Sequence, residues 1–522
     1  MNTSADHTEV AIGADQPTNG HGKHINGTGD ILSGAIEAVK GFANILHNGI
    51  EGTNGHGKTV NGTKKTVAEN HIPHLRVFLV QTAQGLTPSS GGYKANISLL
   101  RELANAGHDT AQICYGFESE IEMYAKRAAE KNINPSVVEE SFPVYDAEGK
   151  AHQLVVKTFT DEYKIFNIAI SRKPFNIAYP VKEFFRDTKA FLENGIFDAD
   201  GNIHNVNQRI ETIVKLFSKY ISQFKPTHVI FNDALTMKVA AYHPLRKTFK
   251  SVAVIHTAEQ LPFGPFCQGI DGHCLSPKLE DNMLRELDGI WAVSRAIQNY
   301  CMTYGDLDTT FLVHSNLTYL DVNTGGMPRV RNNVDKIDVG MVNPCPHKGL
   351  PILLELAEQL PHINFVTWRS WGTDDAHVDQ LSSLANVKVE PTTRNTDEIW
   401  DRIKVLIAPS VWHEAWGIIV TEAQLRGIPV IASDAGGLPE AKINLPYCLP
   451  VKMVDGKRDA DGHYIVPKQD ITLWKQKLEL LMTNRDAYEK LAARTAKESA
   501  EWLNSLDAHA HAKWLAGMME HK

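Results

Sequence analysis

The chain has 522 residues, 43% of them hydrophobic, and a formal net charge of −8. This length exceeds what one compact core usually holds, so two or three domains are expected. Acidic and basic residues are interspersed and form no long basic stripe, which argues against a nucleic-acid-binding surface.

The sequence also argues against a membrane-spanning or exported chain. Its apolar runs are shorter than the ~20 residues needed to cross a bilayer, and the N-terminus MNTSADHTEV lacks a signal-peptide core. Cys267, His273 and Cys274 could be read as a metal knuckle, but their spacing fits no common zinc pattern. The six scattered cysteines instead predict a reducing, cytoplasmic setting, and we expect no bound metal.

Residues 1–72 form an extension rich in Gly, Asn, Thr and His, in which TNGHGKHINGT recurs as TNGHGKTVNGT. Such a composition buries too little apolar surface to offset the entropy of ordering, so disorder is expected. Between the two copies, residues 31–46 place apolar side chains near helical spacing. The segment lacks the basic polar face of membrane-surface helices. A short docking or nascent helix is therefore favoured, with peripheral membrane contact left open.

From residue 73 to residue 328, short apolar strands alternate with helical segments. The predicted elements are strand LRVFLVQT (75–82), helix ISLLRELANAG (97–107), and strands TAQICYG (110–116), HVIFND (228–233), SVAVIHT (251–257) and GIWAVS (289–294). Alternation of this kind predicts a parallel sheet covered by helices on both faces. Within this region, residues 141–162 are typical of an inserted β-hairpin.

A second series of the same kind begins near residue 335, at the end of the polar stretch 322–335. The domain that it predicts occupies residues 329–484. Its predicted strands are DKIDVGMV (335–342), INFVTW (363–368), IKVLIAPS (403–410) and IPVIASD (428–434). We therefore expect two Rossmann-like domains facing one another, with a ligand in the cleft between them. Residues 485–522 read as one or two helices that cross back to the first domain.

The segment HEAWGIIVTEAQLRG (413–427) carries the most specific chemical pattern. It leaves the end of a buried strand and enters a helix near Gly417 and Ile418, where free backbone N–H groups favour an anion such as phosphate. Glu414 and Glu422 flank this point, and eight helical residues rise about 12 Å. That spacing suits the two ends of one elongated ligand, such as a sugar nucleotide. The alternative is an ordinary amphipathic helix whose glutamates face solvent, and this segment alone leaves both open.

HEAWGIIVTE resembles the E-x7-E signature of the retaining glycosyltransferases of family 4, and IPVIASDAGGLPE resembles the strand and Gly-Gly-x-x-Glu turn that follow it. Other landmarks of the family appear in order across about residues 75 to 505. The resemblance implies an α/β GT-B fold and transfer of a hexose, with retention, to a hydroxyl acceptor. It implies a nucleotide-sugar co-substrate, with UDP-sugars favoured, and neither a metal nor another cofactor.

The resemblance also assigns roles to residues outside that segment. Gly91 and Gly92, in a glycine-rich loop, would let the backbone approach the donor phosphates, although Ser-Ser-Gly-Gly could be a plain flexible turn. His256, at a strand end, would face the reacting sugar, whereas a histidine on an apolar strand is often a core residue. Lys348, before a helix, would meet the diphosphate as a point charge, or could simply be exposed.

Within the signature segment, the resemblance assigns the donor sugar to Glu414, the ribose to Glu422, and donor contacts to Trp416, Gly417 and Ile418. One departure concerns Met341, which stands where the family usually has an arginine directed at the diphosphate. Arg369, after a neighbouring strand, would be the substitute. If nothing replaced that charge, leaving-group stabilisation would drop by several kcal/mol.

The acceptor is expected to be set by the first domain. TAEQLPFGPFCQG (257–269) would suit a hydrophobic or aromatic acceptor, or would be a packed loop without a ligand. Two rival functions stay open: a GT-B phosphorylase or epimerase, and a sugar-nucleotide-binding or scaffold protein whose catalysis is weakened at Met341. The sequence leaves the nucleotide base, the sugar and the oligomeric state open.

Overall fold

The computed structural model describes residues 72–88, 90–145, 150–171, 208–233, 236–237, 246–267, 277–315, 326–393, 395–460 and 462–520. The N-terminal extension, including the helix predicted at 31–46, lies outside the described residues. So do His273 and Cys274 of the possible metal knuckle.

The first domain is built on a nine-stranded sheet. Its strands are β1 Arg76–Gln84, β2 Asp109–Gly116, β3 Val138–Tyr145, β4 Ala151–Thr160, β5 Phe166–Ser171, β6 His228–Phe231, β7 Lys250–Ile255, β8 Gly289–Ala292 and β9 Thr310–Val313. They lie in the order β3-β4-β5-β2-β1-β6-β7-β8-β9. The seven strands from β5 to β9 in this order pair in parallel, and β3, β4 and β5 pair antiparallel.

The hairpin expected from residues 141–162 is present as β3 and β4, which pair from Val138 opposite Thr158 to Tyr145 opposite Ala151. It extends the parallel sheet at one edge through β5. Because β2 and β6 lie on opposite sides of β1, the strand order reverses next to β1. A crevice opens at such a reversal, at the carboxyl ends of the strands, and ligands of open α/β sheets bind there.

The second domain has a six-stranded, fully parallel sheet. Its strands are β10 Asp338–Val342, β11 Asn364–Trp368, β12 Val387–Glu390, β13 Ile403–Ala408, β14 Val430–Ser433 and β15 Cys448–Leu449. The order β12-β11-β10-β13-β14-β15 reverses between β10 and β13. The loop that follows β13 is therefore at the crevice of this sheet, and it carries the HEAW segment.

Helices cover both sheets. In chain order they are α1 Gly91–Asn105, α2 Glu118–Glu130, α3 Gln208–Phe224, α4 Pro277–Arg285, α5 Arg295–Gly305, α6 Leu350–Gln359, α7 Asp375–Ser382, α8 Asp397–Trp400, α9 Ile418–Leu425, α10 Leu438–Ala441, α11 Thr472–Thr483, α12 Arg485–Ser505 and α13 Ala510–Glu520. Within the described part of the chain, none of these helices is long and apolar enough to cross a membrane.

The last helices join the two domains. In α12, the buried Tyr488 donates its hydroxyl hydrogen to the carbonyl of Lys404 on β13, 3.1 Å away. In α13, the carbonyl of Leu515 lies 2.8 Å from Nε2 of His228 on β6. Helix α12 thus packs against the second sheet and α13 against the first, so the C-terminal helices link the two domains.

Trp474 of α11 provides a test of the second-domain core, because its indole is only 1% exposed. Trp474→Ala should lower the free energy of unfolding by about 3–5 kcal/mol, the usual loss when a large aromatic side chain leaves a cavity. The neighbouring Leu473 is 42% exposed, and Leu473→Ala should cost less than about 0.5 kcal/mol. Urea denaturation measures both variants, and similar losses would contradict the assignment of Trp474 to the core.

Candidate active site

A cavity of about 1020 Å³ lies between the two domains, at the carboxyl ends of their strands. The first domain contributes the start of α1 and the end of β7. The second contributes the ends of β10, β11 and β13 and the start of α9. All the residues assigned to the donor site from the sequence line this cavity: Gly91, Gly92, His256, Lys348, Arg369, Glu414, Trp416, Gly417, Ile418 and Glu422.

Two helix N-termini meet at the cavity. Helix α1 begins at Gly91, and α9 begins at Ile418 after Gly417, whose φ is 103°. A Cβ on Gly91 would lie 2.9 Å from Cδ1 of Ile418, so the two helix starts are in contact across the cleft. Neither first turn contains an acidic residue. Free N–H groups of both helices therefore favour an anion at this point.

His256 follows β7 directly and lies against the start of α1. A Cβ on Gly92 would be 2.9 Å from Cγ of His256, which explains the need for glycine there. Nε2 of the imidazole lies 2.8 Å from Oδ1 of Asn96. Burial lowers the pKa of His256 to about 3, so the ring is neutral at neutral pH. The side chain is thus a hydrogen-bonding group and carries no positive charge.

Lys348 and Glu414 form an ion pair at the cavity wall. The distance from Lys348 Nζ to Glu414 Oε1 is 2.5 Å, and the side chains are only 18% and 12% exposed. Burial alone would raise the pKa of Glu414, but the charge and hydrogen bond of Lys348, with a bond from Ser410, hold that pKa below its ordinary value. The ammonium also lies 4.4 Å from the ring centroid of Trp412. The carboxylate of Glu414 is therefore ionised at neutral pH.

Glu422 is in the second turn of α9 and faces the same cavity. Burial raises its pKa, against the opposing charges of Lys94 and Arg426. Lys94 comes from α1 of the other domain and also lines the cavity, a contribution that sequence reasoning missed. A signal for it existed, because a lysine four residues after the N-cap Ser90 is unfavourable to the helix dipole. A nearby anionic group would offset this unfavourable interaction.

The Gly-Gly turn after β14 allows the Glu414 loop to pass close by. A Cβ on Gly436 would lie 2.3 Å from the carbonyl oxygen of Glu414, and one on Gly437 would lie 2.3 Å from that of Ala415. The backbone N–H of Gly437 donates to the carbonyl of Glu414 at 2.6 Å. Any side chain at these positions would push the loop and its carboxylate out of place.

Three residues after this turn, Glu440 bonds to the first domain. Its carboxylate accepts hydrogen bonds from the backbone N–H groups of Arg295 and Ala296, each at 2.9 Å. Ser294 caps the same helix, α5, by accepting from the N–H of Ile297. Glu440 therefore completes the N-terminal cap of a helix in the other domain. The sequence gives no local signal for this role, because the partners are about 145 positions away.

Met341 is buried in β10 and lines the cavity without a charge. Arg369, at the end of the adjacent β11, also lines it, and its Nη2 lies 2.8 Å from Oδ1 of Asp375. The guanidinium is thus at the cavity but engaged with an exposed carboxylate. Trp416 donates from Nε1 to Oγ1 of Thr421 at 3.1 Å and stacks on Trp502 of α12, with ring centroids 5.9 Å apart.

The first-domain loop 257–267 packs inside the protein. Leu261 is fully buried, and the ring of Phe266 lies 5.8 Å from that of His413 and 5.9 Å from that of Tyr464. Of the two readings of this apolar segment, its described residues support the packed loop. The loop's hydrophobic character therefore no longer points to a hydrophobic acceptor.

Residues 337–484 match the family model of group 1 glycosyl transferases. The D-inositol 3-phosphate glycosyltransferase of Mycobacterium marinum is 29% identical over 184 residues, which cover 33% of this chain and 36% of that protein. The enzyme of the same name from Mycolicibacterium smegmatis is 27% identical over 181 residues, covering 33% and 37%. The chain spans little more than a third of the length of these relatives.

Solved structures show the same architecture at low sequence identity. Anabaena HepE in complex with UDP and glucose has a TM-score of 0.55 and 12% identity, covering 86% of this chain and 100% of that one. Sucrose-phosphate synthase from Thermosynechococcus elongatus has a TM-score of 0.53 and 15% identity, covering 85% and 97%. The predicted GT-B fold is confirmed. The second domain in particular resembles group 1 glycosyl transferases.

Gly437→Ala tests the close passage of the Glu414 loop. The added methyl group would meet backbone atoms, which cannot rotate away, so the free energy of unfolding should drop by about 1–3 kcal/mol. Gly517 of α13 is the matched control, because nothing lies within 4 Å of a Cβ added there. Gly517→Ala should stabilise by roughly 0.5–1 kcal/mol. Thermal denaturation of both variants measures the effect, and a neutral Gly437→Ala would refute the steric argument.

Glu414→Gln should change how stability depends on pH. The pKa of Glu414 is lowered in the folded state, so its ionised form contributes stability above its ordinary pKa of about 4.3. This contribution is lost as the pH falls through the lowered value. Urea unfolding of wild type and variant should show a stability difference that shrinks on acidification below that range. Glu489→Gln, at a half-exposed position on α12, is the control and should change stability little, because an exposed ion pair contributes little.

Proposed function

We propose that this protein is a retaining glycosyltransferase of the family 4 kind, which moves a hexose from a nucleotide-sugar to a hydroxyl acceptor. The observation that carries the proposal is the Lys348–Glu414 ion pair beside the facing helix starts at Gly91 and Ile418. An anion-favouring centre with hydrogen-bonding carboxylates on either side matches a sugar nucleotide. We favour a UDP-sugar, since HepE, a protein of the same fold, was solved with UDP and glucose.

In this proposal the start of α9 and Lys348 bind the donor diphosphate and stabilise it as it leaves. An ammonium has three N–H donors, so Lys348 can keep its bond to Glu414 while donating to a phosphate oxygen. Glu414 accepts hydrogen bonds from the donor sugar, and Glu422 accepts from the ribose hydroxyls. Trp416 and Arg369 complete the donor site, Arg369 by exchanging Asp375 for a phosphate oxygen.

Retention of configuration is taken from the resemblance to family 4, and the carboxylates of the cavity bear only on how it would be achieved. Among the described residues that line it, these are Glu414, which is paired with Lys348, and Glu422, on the second turn of α9. Neither is a free nucleophile of the kind that a double displacement needs. The acceptor oxygen would therefore bond to the anomeric carbon on the face where the bond to the phosphate oxygen breaks. The acceptor proton passes to the departing phosphate.

His256 acts in this reaction as a neutral group. Because Nδ2 of Asn96 donates to Gln81 and Asn232, its Oδ1 is left to accept from the imidazole N–H. Nδ1 of His256 then remains an acceptor for a sugar hydroxyl near the reacting carbon. With a pKa of about 3, the ring is neither the general acid nor a cation at neutral pH. The acceptor is a molecule with a hydroxyl group, and the first-domain side of the cavity selects it.

The cellular setting is part of the same proposal. Among the described residues, Cys114, Cys301, Cys345 and Cys448 are free thiols. Free thiols of this number favour a reducing compartment. We therefore place the reaction in the cytoplasm.

The proposal is tested by incubating the protein with UDP-, GDP- and ADP-sugars and following nucleotide release by mass spectrometry. One donor should release its nucleotide, and Lys348→Ala and Glu414→Gln should each lower the rate by about 10²–10³, as when a leaving-group donor is lost. Lys457→Ala, at an exposed pair with Asp455, is the charge-matched control and should leave the rate unchanged.

Release that is indifferent to both site variants would refute the assignment of the site. Release that requires inorganic phosphate would instead identify a phosphorylase, and isomerisation of the nucleotide-sugar without nucleotide release would identify an epimerase. Calorimetric binding of one nucleotide without release, in the presence of a panel of hydroxyl acceptors, would identify a binding protein.

A further inference from the structure

A fully buried carboxylate, Glu259, lies where the two domains meet beside the cavity. It belongs to the short 3-10 turn Ala258–Gln260 that follows β7. Its Oε1 accepts from Nε1 of Trp412 at 2.5 Å and from the hydroxyl of Tyr464 at 3.1 Å. Oε2 accepts from the hydroxyl of Thr257. Two of the three side chains that donate to it therefore come from the other domain, and in the described part of the chain no cation pairs with it.

The turn that carries Glu259 is held rigidly by its neighbour Gln260. Oε1 of Gln260 accepts from the backbone N–H groups of His256 and Thr257, at 2.6 and 3.1 Å, and its side-chain amide donates to the carbonyl of Asn232. The same turn thus fixes the backbone of His256 and the carboxylate of Glu259. The groups that are hydrogen-bonded to Glu259 are therefore fixed in position relative to His256.

Trp412 links this turn to the ion pair of the donor site. Its ring covers the ammonium of Lys348 at 4.4 Å, and its carbonyl accepts from the backbone N–H of Glu414 at 2.8 Å. A cation over an aromatic ring is attracted only while the face of the ring is turned toward it. The hydrogen bond from the indole N–H to Glu259 fixes that plane. Without it, packing against His347 and Trp371 still confines the ring, but the directional restraint on its plane is lost.

Stability alone does not account for Glu259. Burial raises the pKa of its carboxyl group, which is the cost of holding a charge away from water among neutral donors. An apolar side chain of similar size at a buried charged position is often as stable or more so. A carboxylate fixes the direction of the N–H of Trp412 and of the O–H of Tyr464. An apolar group does not.

We propose that Glu259 is a positioning residue of the donor site, which orients Trp412 across the domain junction and thereby holds Lys348 against Glu414. For its effect on the reaction, this inference rests on the function proposed above. Its structural content, the orientation of Lys348, is independent of any substrate. Glu259 touches no substrate in this scheme and acts only through Trp412.

The test measures the accessibility of Lys348 by brief reductive methylation, quantified by peptide mass spectrometry, with the exposed Lys457 as internal reference. Glu259→Leu removes the acceptor of the indole N–H. The labelling of Lys348 relative to Lys457 should then rise about fivefold, because losing one cation–π attraction shifts the equilibrium toward accessible Lys348 by about that factor. Glu259→Gln keeps an acceptor oxygen for the indole and should restore wild-type labelling. Restoration by glutamine would show that the hydrogen bond matters and the charge does not.

Tyr464→Phe is the matched control, because it removes a bond to the same oxygen of Glu259 but leaves Trp412 attached. It should lower the melting temperature without exposing Lys348. Trp412→Phe, which lacks the N–H, should expose Lys348 as Glu259→Leu does, and the double variant should add no further exposure. Circular dichroism identifies which variants are folded, and Trp412→Phe serves as the test if Glu259→Leu does not fold.

Calorimetry with UDP, GDP and ADP separates this inference from the proposed function. If wild type binds one of them, Glu259→Leu should bind it about tenfold more weakly and Glu259→Gln as wild type. If wild type binds none, the proposed donor class is wrong, and the labelling still decides the role of Glu259. Unchanged labelling of Lys348 in folded Glu259→Leu or Trp412→Phe would overturn the inference.

Discussion

The close backbone contact between the Gly-Gly turn and the Glu414 loop is the constraint on which the site depends. The bond from the Gly437 N–H to the Glu414 carbonyl fixes the loop, and the loop leads within three residues to Gly417 at the start of α9. The carboxylate of Glu414 and the anion-favouring helix end are therefore placed by one contact. Glu440, three residues after Gly437, ties the Gly-Gly turn to the first domain.

Polar contacts hold the two domains together around the cavity. Glu440 caps α5 on one side, Glu259 binds Trp412 and Tyr464 on another, and the C-terminal helix α13 reaches the first sheet behind. Hydrogen bonds of this kind depend on direction more than apolar contacts do. A junction built from them permits the domains few relative orientations, which suits a site whose parts come from both.

The sequence predicted much of the fold because strand–helix alternation is a local pattern, and the strand ends differ from the observed ones by only a few residues. It predicted a helix start at Gly417 because a glycine after a buried strand and before helical periodicity is also local. Glu259 and Glu440 were missed as linking residues because their partners are more than 140 positions away. The apolar loop 257–269 was ambiguous because a packing surface and a ligand surface have the same composition.

The contact between α1 and α9 at Gly91 and Ile418 has an electrostatic consequence for the domain junction. Two helix ends that both carry partial positive charge repel each other, whereas the charge of Lys94 on α1 is opposite to that of the Glu422 carboxylate on α9. Salt screens this repulsion, and the hydrogen bonds of the domain junction oppose it. An anion between the helix ends, such as the diphosphate of the proposed donor, would be attracted by both ends and would offset their repulsion.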